Sequence, residues 1–326
     1  MSNYTVFPTP PILERDHPDP NLTQESGEPA SEANPSLPKL ITKAASKQTY
    51  YTIRFLVDRD WVLDALRAYA YFRWVDGYLD EKLSVKSERL AFVERQRALL
   101  NCVYQGKVLR DVTAEERILV DLVRSDKEPS SGLQSYIRNM MAVMAFDANR
   151  RGRLISQQEL TQYSKYLSIA VTEALHYFIG HDDPSPHIPT RYLAVTAAHI
   201  THMLRDTVED VTTGYFNLPY EFLDVRDLDP CDVTSDSYKV WVKNRTQLAR
   251  TCFKAGKGYL AQVKNLRCRF AGYAYTARFE EVLNAIEHEG YQLRPAYLQR
   301  KNLSGGLRMS WSILSILFKG HIRGKS

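Results

Sequence analysis

Two segments of the sequence place a pair of aspartates on a helical stripe that is otherwise apolar. In a helix over residues 59–82, one stripe runs through Val62, Leu66, Tyr69, Arg73, Asp76 and Asp80. In a helix over residues 189–213, a second stripe runs through Tyr192, Val195, His199, His202, Asp206 and Asp210. Spacings of three and four keep such side chains on one face of a helix. We therefore expect the acids on the inward face, where a carboxylate needs a partner.

An arginine is the simplest partner, since Arg73 precedes Asp76 by three residues and Arg205 directly precedes Asp206. An ordinary salt bridge is one interpretation of either pair alone. Two inward pairs on separate helices favour a different interpretation, a site for metal ions. Four carboxylates around one cavity repel each other and require multivalent cations. Ligands that are all oxygen suit Mg²⁺, which also shares phosphate oxygens of a substrate. The pattern predicts a diphosphate bridged to the acids by Mg²⁺ and held by both arginines.

The chain beyond residue 45 shows helical periodicity, with no alternating strand pattern and no internal repeat. We therefore predict an all-α fold. The predicted helices cover residues 46–56, 59–82, 84–105, 113–125, 130–150, 157–180, 189–213, 237–268, 272–290 and 294–303.

The ends of the chain differ from its centre in composition. Residues 1–44 hold eight of the fifteen prolines, and such a segment cannot bury enough apolar surface to offset its chain entropy. We predict a disordered leader over 1–44, whose removal through residue 40 leaves stability and activity unchanged, and a catalytic domain over 45–303. The tail, 304–326, combines a short apolar run with basic flanks. It predicts either peripheral contact with an anionic membrane or a packed final helix or dimer contact.

Composition limits the partners and the compartment. A formal net charge of +5 is mild and does not indicate nucleic-acid binding. No apolar run is long enough to span a bilayer. The four cysteines have no C-x-x-C spacing, and no secretory leader is evident, which together predict reduced thiols and a cytoplasmic location.

The segments YAYFRWVDGYLDE (69–81) and MLRDTVEDVTTGYFNLP (203–219) resemble the two signature segments of the squalene/phytoene synthase family. There they run roughly Y-A-x-x-R-x-x-D-D-x-x-D and N-I-L-R-D-x-x-E-D-x-x-x-G-R-x-x-L-P. Weaker similarity covers SKQTYYTIRFL (46–56), the segment 144–170 and the closing helices. The resemblance extends in order over about residues 45–300.

The resemblance implies the isoprenoid synthase fold, a single helical bundle around a central cavity that binds prenyl diphosphates of the farnesyl or geranylgeranyl class. It implies more than one Mg²⁺, bound by Asp76, Asp80, Asp206 and Asp210. The other candidate catalytic residues are Arg73 and Arg205, which match the family pattern, and His202, which departs from it. The implied substrate contacts are Arg73, Arg205, Ser46, Tyr69, Tyr166 and Phe279. The aromatic members suit a carbocation, although core packing is their competing interpretation. NADPH would enter without a Rossmann module, because the G-x-G-x-x-G signature is absent.

Several positions depart from the family pattern. Gly77 replaces the second acid of D-D-x-x-D, but the i, i+4 pair remains. His199 and His202 stand where Gln and Asn are usual; each is a candidate metal ligand, hydrogen-bond partner or base, or packing residue. Residues 169–174 lack the usual glycines and contain Glu173, either a pocket acid or a charge at the helix rim.

Three functions follow. The first is head-to-head condensation of two prenyl diphosphates through a cyclopropyl intermediate, to a squalene- or phytoene-like product. The second is a class I terpene synthase that ionises and cyclises a single prenyl diphosphate; the changes at four positions favour it, namely His199, His202, Val171 and Glu173. The third is a non-catalytic assembly protein, for which we would expect loss of the aspartate pairs.

Overall fold

The protein is helical throughout the part that the structure describes. This computed structural model describes residues 36–107, 111–181, 185–226 and 229–297, with the backbone alone over 224–226. The helices in these residues are α1 (Ser36–Ala45), α2 (Lys47–Leu56), α3 (Val62–Glu81), α4 (Lys86–Tyr104), α5 (Ala114–Ser125), α6 (Gly132–Arg150), α7 (Gln157–Phe178), α8 (Leu193–Thr212), α9 (Tyr220–Arg226), α10 (Asp236–Leu260) and α11 (Leu266–His288). The described residues contain no strand beyond one isolated bridge, between Ile155 and Pro219. The all-α prediction is confirmed.

Helix α1 corrects the prediction of a disordered leader through residue 44. Residues 36–45 are helical, and Pro38 lies in the first turn, where its missing N–H is not needed,. The Thr42 hydroxyl is buried and donates to the Pro38 carbonyl at 2.7 Å, and α1 packs on α3. The predictions for residues 1–35, for a helix over 298–303 and for the tail 304–326 lie outside the described residues.

The helix predicted over 237–268 is two helices in the structure. Helix α10 ends at Leu260, and α11 begins after Asn265, whose side chain accepts a hydrogen bond from the Cys268 amide at 3.0 Å. This asparagine is an N-cap inside an otherwise continuous periodic segment. The helix predicted from residue 294 is also not present over 294–297.

The start of most helices follows from a capping residue. Helix α7 begins with a capping box, in which Ser156 accepts from the Glu159 amide and Glu159 accepts from the Ser156 amide. Thr113 and Glu116 form the same arrangement at α5. Both boxes satisfy amide groups that the first turn of a helix leaves without a partner.

The helices bury two apolar clusters. The first is formed mainly by α3 to α7, and the second by α8, α10 and α11. Helices α8 and α10 approach closely because Gly256 has no side chain; a Cβ there would lie 2.4 Å from the Ala194 nitrogen. Helix α6 packs on α7 and touches α3, and α7 packs on α8. Helices α6 and α7 therefore connect the two helices that carry the aspartate pairs.

Backbone hydrogen bonds join the loop that follows α6 to the loop that follows α8. The Gly152 amide, after α6, donates to the Gly214 carbonyl, after α8, at 2.8 Å, and the Tyr220 amide donates to the Ile155 carbonyl at 2.9 Å. Both glycines have a positive φ, 81° and 86°, which favours glycine. The pairing fixes the loop over 213–219 beside the end of α6. Among the described residues, no helix is long and apolar enough to cross a membrane.

Candidate active site

The first aspartate pair lies in the last turns of α3. Arg73 Nη1 donates to Asp76 Oδ2 at 2.6 Å, and the Tyr215 hydroxyl donates to Asp80 Oδ1 at 2.9 Å. Burial, together with the charges of Asp80 and Asp147, raises the pKa of Asp76 to about 6, although Arg73 opposes the shift. The negative end of the α3 dipole adds to this cost. A bound cation would therefore stabilise the ionised form of this pair.

The second pair occupies the same place in α8. Arg205 Nε and Nη2 donate to the two oxygens of Asp206, both at 2.6 Å. His202 Nε2 lies 2.9 Å from Asp206 Oδ2. Burial would raise the pKa of Asp206, but these contacts hold it well below its usual value. Asp206 is therefore ionised at neutral pH.

Asp210 has surroundings closer to those of Asp76. Asn217 Nδ2 donates to Asp210 Oδ2 at 2.6 Å. Burial, reinforced by Asp206, raises the pKa of Asp210 to about 6, against the effects of Asn217 and Arg150. Each helix thus contributes one carboxylate whose charge is poorly stabilised by the protein alone.

A salt bridge on α6 connects the two pairs. Arg150 Nε donates to Asp147 Oδ1 at 2.7 Å, and its Nη1 donates to Asn217 Oδ1 at 2.8 Å. The guanidinium lies 5.0 Å from the Tyr163 ring centre and 4.9 Å from that of Tyr215. Burial opposes the charge of Arg150, yet Asp147 keeps its pKa above the usual value. One network therefore runs from Asp147 through Arg150 to both aspartate pairs.

The sequence did not single out these linking residues as functional. Asp147 and Arg150 lie within a segment noted only for its similarity, and Tyr215 and Asn217 lie within the second signature segment. Arg150 and Asn217 are 67 residues apart. The local signal in the sequence is the density of polar residues at the end of α6 and after α8.

The acids are less enclosed than the stripe pattern predicted. The side chains of Arg73 and Asp76 are 46% and 40% exposed, and Asp80 is exposed as well. The stripe of α3 is buried or half-buried as far as Tyr69 and becomes accessible from Arg73 onward. On α3 the expectation of a buried acidic face is corrected to a partly accessible one, whereas Asp206 and Asp210 on α8 are half-buried.

The two histidines have different roles. His199 is buried, with Nδ1 3.2 Å from the Ser164 hydroxyl and its ring 4.9 Å from that of Tyr163. Burial lowers the pKa of His199 well below its usual value, and the charge of Arg245 contributes. His199 is therefore neutral and bonded inside the bundle. His202 is half exposed beside Asp206, and its ring lies 6.3 Å from that of Phe279.

The predicted substrate contacts are spread over the molecule. Phe279 is buried next to His202 and lies under the Arg278 guanidinium at 4.8 Å. Ser46 is the N-cap of α2. Tyr69 and Tyr166 are half-buried against the first apolar cluster. The structure therefore places Phe279 beside His202, whereas Tyr69 and Tyr166 are partly accessible and contact the first apolar cluster.

Glu173 is a partner in a buried salt bridge. Arg191 Nε and Nη2 donate to its two oxygens at 2.8 and 2.9 Å, and the Tyr192 hydroxyl donates to Glu173 Oε1 at 2.9 Å. Arg191 Nη1 in turn donates to the Tyr259 hydroxyl at 2.7 Å. Burial opposes ionisation of Glu173, but Arg191 keeps its pKa below the usual value. The residue connects α7 to the start of α8 and to α10.

The described residues contain no group of three or more His, Cys, Asp or Glu side chains arranged to hold a metal ion by themselves. The four aspartates nevertheless suit Mg²⁺, since this ion is commonly bound by one or two carboxylates and completed by water and substrate phosphate oxygens. Asp76 and Asp210, whose ionised forms the protein stabilises poorly, are the side chains that such an ion would favour most.

The all-α architecture and two aspartate pairs at helix ends, linked by a buried arginine, define a protein of the isoprenoid synthase fold. The model of the squalene/phytoene synthase family matches residues 42–306. The chain belongs to this family.

Solved structures agree on the fold. A squalene synthase, HpnC, from Alicyclobacillus acidocaldarius is similar with a TM-score of 0.63 and 17% sequence identity, over 80% of this chain and 95% of that one. A dehydrosqualene synthase in complex with a ligand is similar with a TM-score of 0.66 and 16% identity, over 87% of this chain and 96% of that one. No curated protein sequence matches the chain.

Proposed function

We propose that the protein is a Mg²⁺-dependent prenyltransferase that condenses two prenyl diphosphates head to head. The observation that carries the proposal is the network that joins Asp80 of the first pair to Asp210 of the second through Tyr215, Arg150 and Asn217. Family membership over residues 42–306 supports the same reaction class.

The chain's own residues would bind and orient the diphosphate. Arg73 and Arg205, each bonded to an aspartate, would turn toward phosphate oxygens, which match the fork of a guanidinium. Mg²⁺, when bound by the aspartates, would neutralise the departing diphosphate. Phe279, buried beside His202, offers an aromatic face to the allylic cation.

In this condensation the diphosphate leaves with the electrons of its carbon–oxygen bond. The allylic carbon then bonds to the double bond of the second prenyl diphosphate, and one proton is lost as the cyclopropane closes. We assign His202 as the group that accepts this proton, because it is half exposed and lies beside Asp206. NADPH is proposed only as a reductant for a squalene-like end product.

A class I terpene synthase is the second candidate. The observation that favours it is His202 on α8, which lies between Asp206 and Phe279, so that a change from the family's usual asparagine would alter the contact with the hydrocarbon next to the diphosphate. A non-catalytic role is disfavoured because both aspartate pairs are present and each has an arginine in contact.

Product mass spectrometry tests the proposal. Purified protein is incubated with farnesyl or geranylgeranyl diphosphate and Mg²⁺, with and without NADPH, and Asp206→Asn serves as the inactive control. Products of twice the substrate's carbon number support condensation. Cyclised products of the original carbon number would replace it with the terpene synthase alternative, and unconsumed substrate under all conditions would favour a non-catalytic protein.

A further inference from the structure

Helix α2 exposes two aromatic side chains. Phe55 is 73% exposed and Tyr51 is 51% exposed, and their rings stack with centres 6.1 Å apart. Lys47, Tyr51 and Phe55 follow each other at intervals of four, and exposed Arg54 lies next to Phe55, so these side chains share one side of the helix. We call Lys47, Tyr51, Arg54 and Phe55 the α2 face. Adjacent exposed aromatics of this kind mark an interaction surface.

The charged residues of α1 and α2 all have the same sign. Residues 36–56, which form α1 and α2, contain Lys39, Lys43, Lys47 and Arg54 and no acidic residue. The next acid along the chain, Asp58, is bonded to Arg267 and to the Gly180 amide. The surface is therefore complementary to an anionic partner.

The N-terminal end of α2 lies at the rim of the acidic site. Gln48 Oε1 accepts from Arg278 Nη1 at 3.4 Å, and the Arg278 guanidinium lies 4.8 Å from the centre of the Phe279 ring. That ring is 6.3 Å from the ring of His202, which contacts Asp206. Consecutive contacts thus lead from α2 to the second aspartate pair.

We infer that the α2 face docks on the surface of an anionic phospholipid bilayer. Tyr51 and Phe55 enter the interface between headgroups and acyl chains, while Lys47 and Arg54 lie among the phosphates. A second copy of the chain fits less well, because a two-fold contact would set this basic surface against itself. Docking would place the rim of the site at the lipid surface, so that apolar molecules could exchange without crossing water.

Vesicle sedimentation tests the inference with the full chain and without any assay of turnover. The protein is mixed with phosphatidylcholine vesicles that contain or lack phosphatidylglycerol, at low and at high salt. We expect binding to the anionic vesicles at low salt. The double variant Tyr51→Ser/Phe55→Ser should reduce the partition coefficient about tenfold or more. Lys47→Gln and Arg54→Gln should each reduce it roughly fivefold for anionic vesicles only.

Leu248→Ser is the matched control, because Leu248 is also apolar and 43% exposed but lies on α10; it should bind like the unaltered chain. Circular dichroism and melting temperature verify that each variant is folded. The inference is overturned if the unaltered chain stays in the supernatant, or if the double variant binds as well as the control. It is also overturned if removal of residues 304–326 alone abolishes binding, or if the double substitution instead converts a dimer to a monomer in light scattering.

Discussion

Asp76 and Asp206 hold equivalent positions in their pairs but have opposite electrostatic surroundings. Burial and neighbouring carboxylates raise the pKa of Asp76 to about 6. Asp206 accepts two hydrogen bonds from Arg205, and its pKa is lowered. Replacement of Asp76 by asparagine therefore removes a charge that the fold stabilises poorly. The same replacement at Asp206 removes a charge that Arg205 stabilises.

Asp76→Asn and Asp206→Asn should each lower turnover by about two orders of magnitude or more, the scale on which loss of one electrostatic group acts in a catalytic site. Their melting temperatures should move apart. Asp76→Asn should be neutral or stabilising because it removes repulsion, whereas Asp206→Asn should be destabilising because Arg205 loses its charged partner.

Steady-state rates at saturating Mg²⁺ and thermal melts without Mg²⁺ provide the two measurements. Glu94→Gln, at an exposed surface pair, is the control for removal of one negative charge. Wild-type turnover in either aspartate variant would contradict the assignment of the two pairs to the metal site.

His202→Asn should change the distribution of products while diphosphate release continues. The side chain contacts Asp206 and faces Phe279, so under the proposed function it lies between the groups that would bind the diphosphate and the apolar region. Product profiles and pyrophosphate release are measured together. An unaltered profile combined with a lower melting temperature would instead assign the residue to packing.

The local part of the site was predictable from the sequence, and the linking part was not. Paired aspartates with a preceding arginine define their own helical face, because all three lie within about two turns. The contact between Arg150 and Asn217 depends on the pairing of two loops that follow different helices. The spacing of residues within either loop does not predict that Arg150 and Asn217 come into contact.

At the scale of helices, α1 shows how composition can mislead. The prolines before residue 40 indicated disorder, yet Pro38 occupies the first turn of a helix and Thr42 is fully buried. The decisive signal was the apolar pair Leu37 and Ile41, at helical spacing, which packs against the first cluster. The boundary between α10 and α11 was missed for a related reason, since Asn265 interrupts the backbone without interrupting the periodicity.

Removal of α1 should destabilise the protein, contrary to the expectation from the sequence. A chain lacking residues 1–45 should unfold with a free energy lower by about 2 kcal/mol or more than a chain lacking residues 1–34, because burial of one or two aliphatic side chains is lost. Urea unfolding compares the two truncations directly. Coincident unfolding curves would show that α1 contributes nothing to stability.

Glu173→Gln should lower the free energy of unfolding more than most single substitutions at contacts between helices. It leaves Arg191 buried without its bidentate carboxylate, which costs about 3–5 kcal/mol. Glu94→Gln, in an exposed pair with a 3.7 Å separation, should change stability by no more than about 0.5 kcal/mol. Similar unfolding free energies for the two variants would contradict a structural role for Glu173.

At the scale of the whole molecule, the two aspartate pairs belong to different parts of the apolar core. Helix α3 packs in the first cluster, whereas α8 contributes largely to the second. A ligand that contacts both pairs would therefore connect a helix of the first cluster to a helix of the second. Its binding should stabilise the whole fold rather than one helix.

Mg²⁺ together with inorganic pyrophosphate should raise the melting temperature. At about 100 times its Kd, a ligand of the native state adds about 2.7 kcal/mol, or roughly 5–10 °C for a domain of this size. EDTA should remove the effect, and Asp76→Asn or Asp206→Asn should weaken it. A shift of equal size in both variants would place the ions elsewhere.

The arginines interspersed among the acids have a consequence for biogenesis. Arg73, Arg150 and Arg205 each form a salt bridge with a neighbouring aspartate, so part of the negative charge at the site has a counter-ion within the chain. We therefore expect the bundle to fold without a metal ion, so that metal binding would follow folding and would be reversible. Refolding from urea in the presence of a chelator should recover the complete helical content.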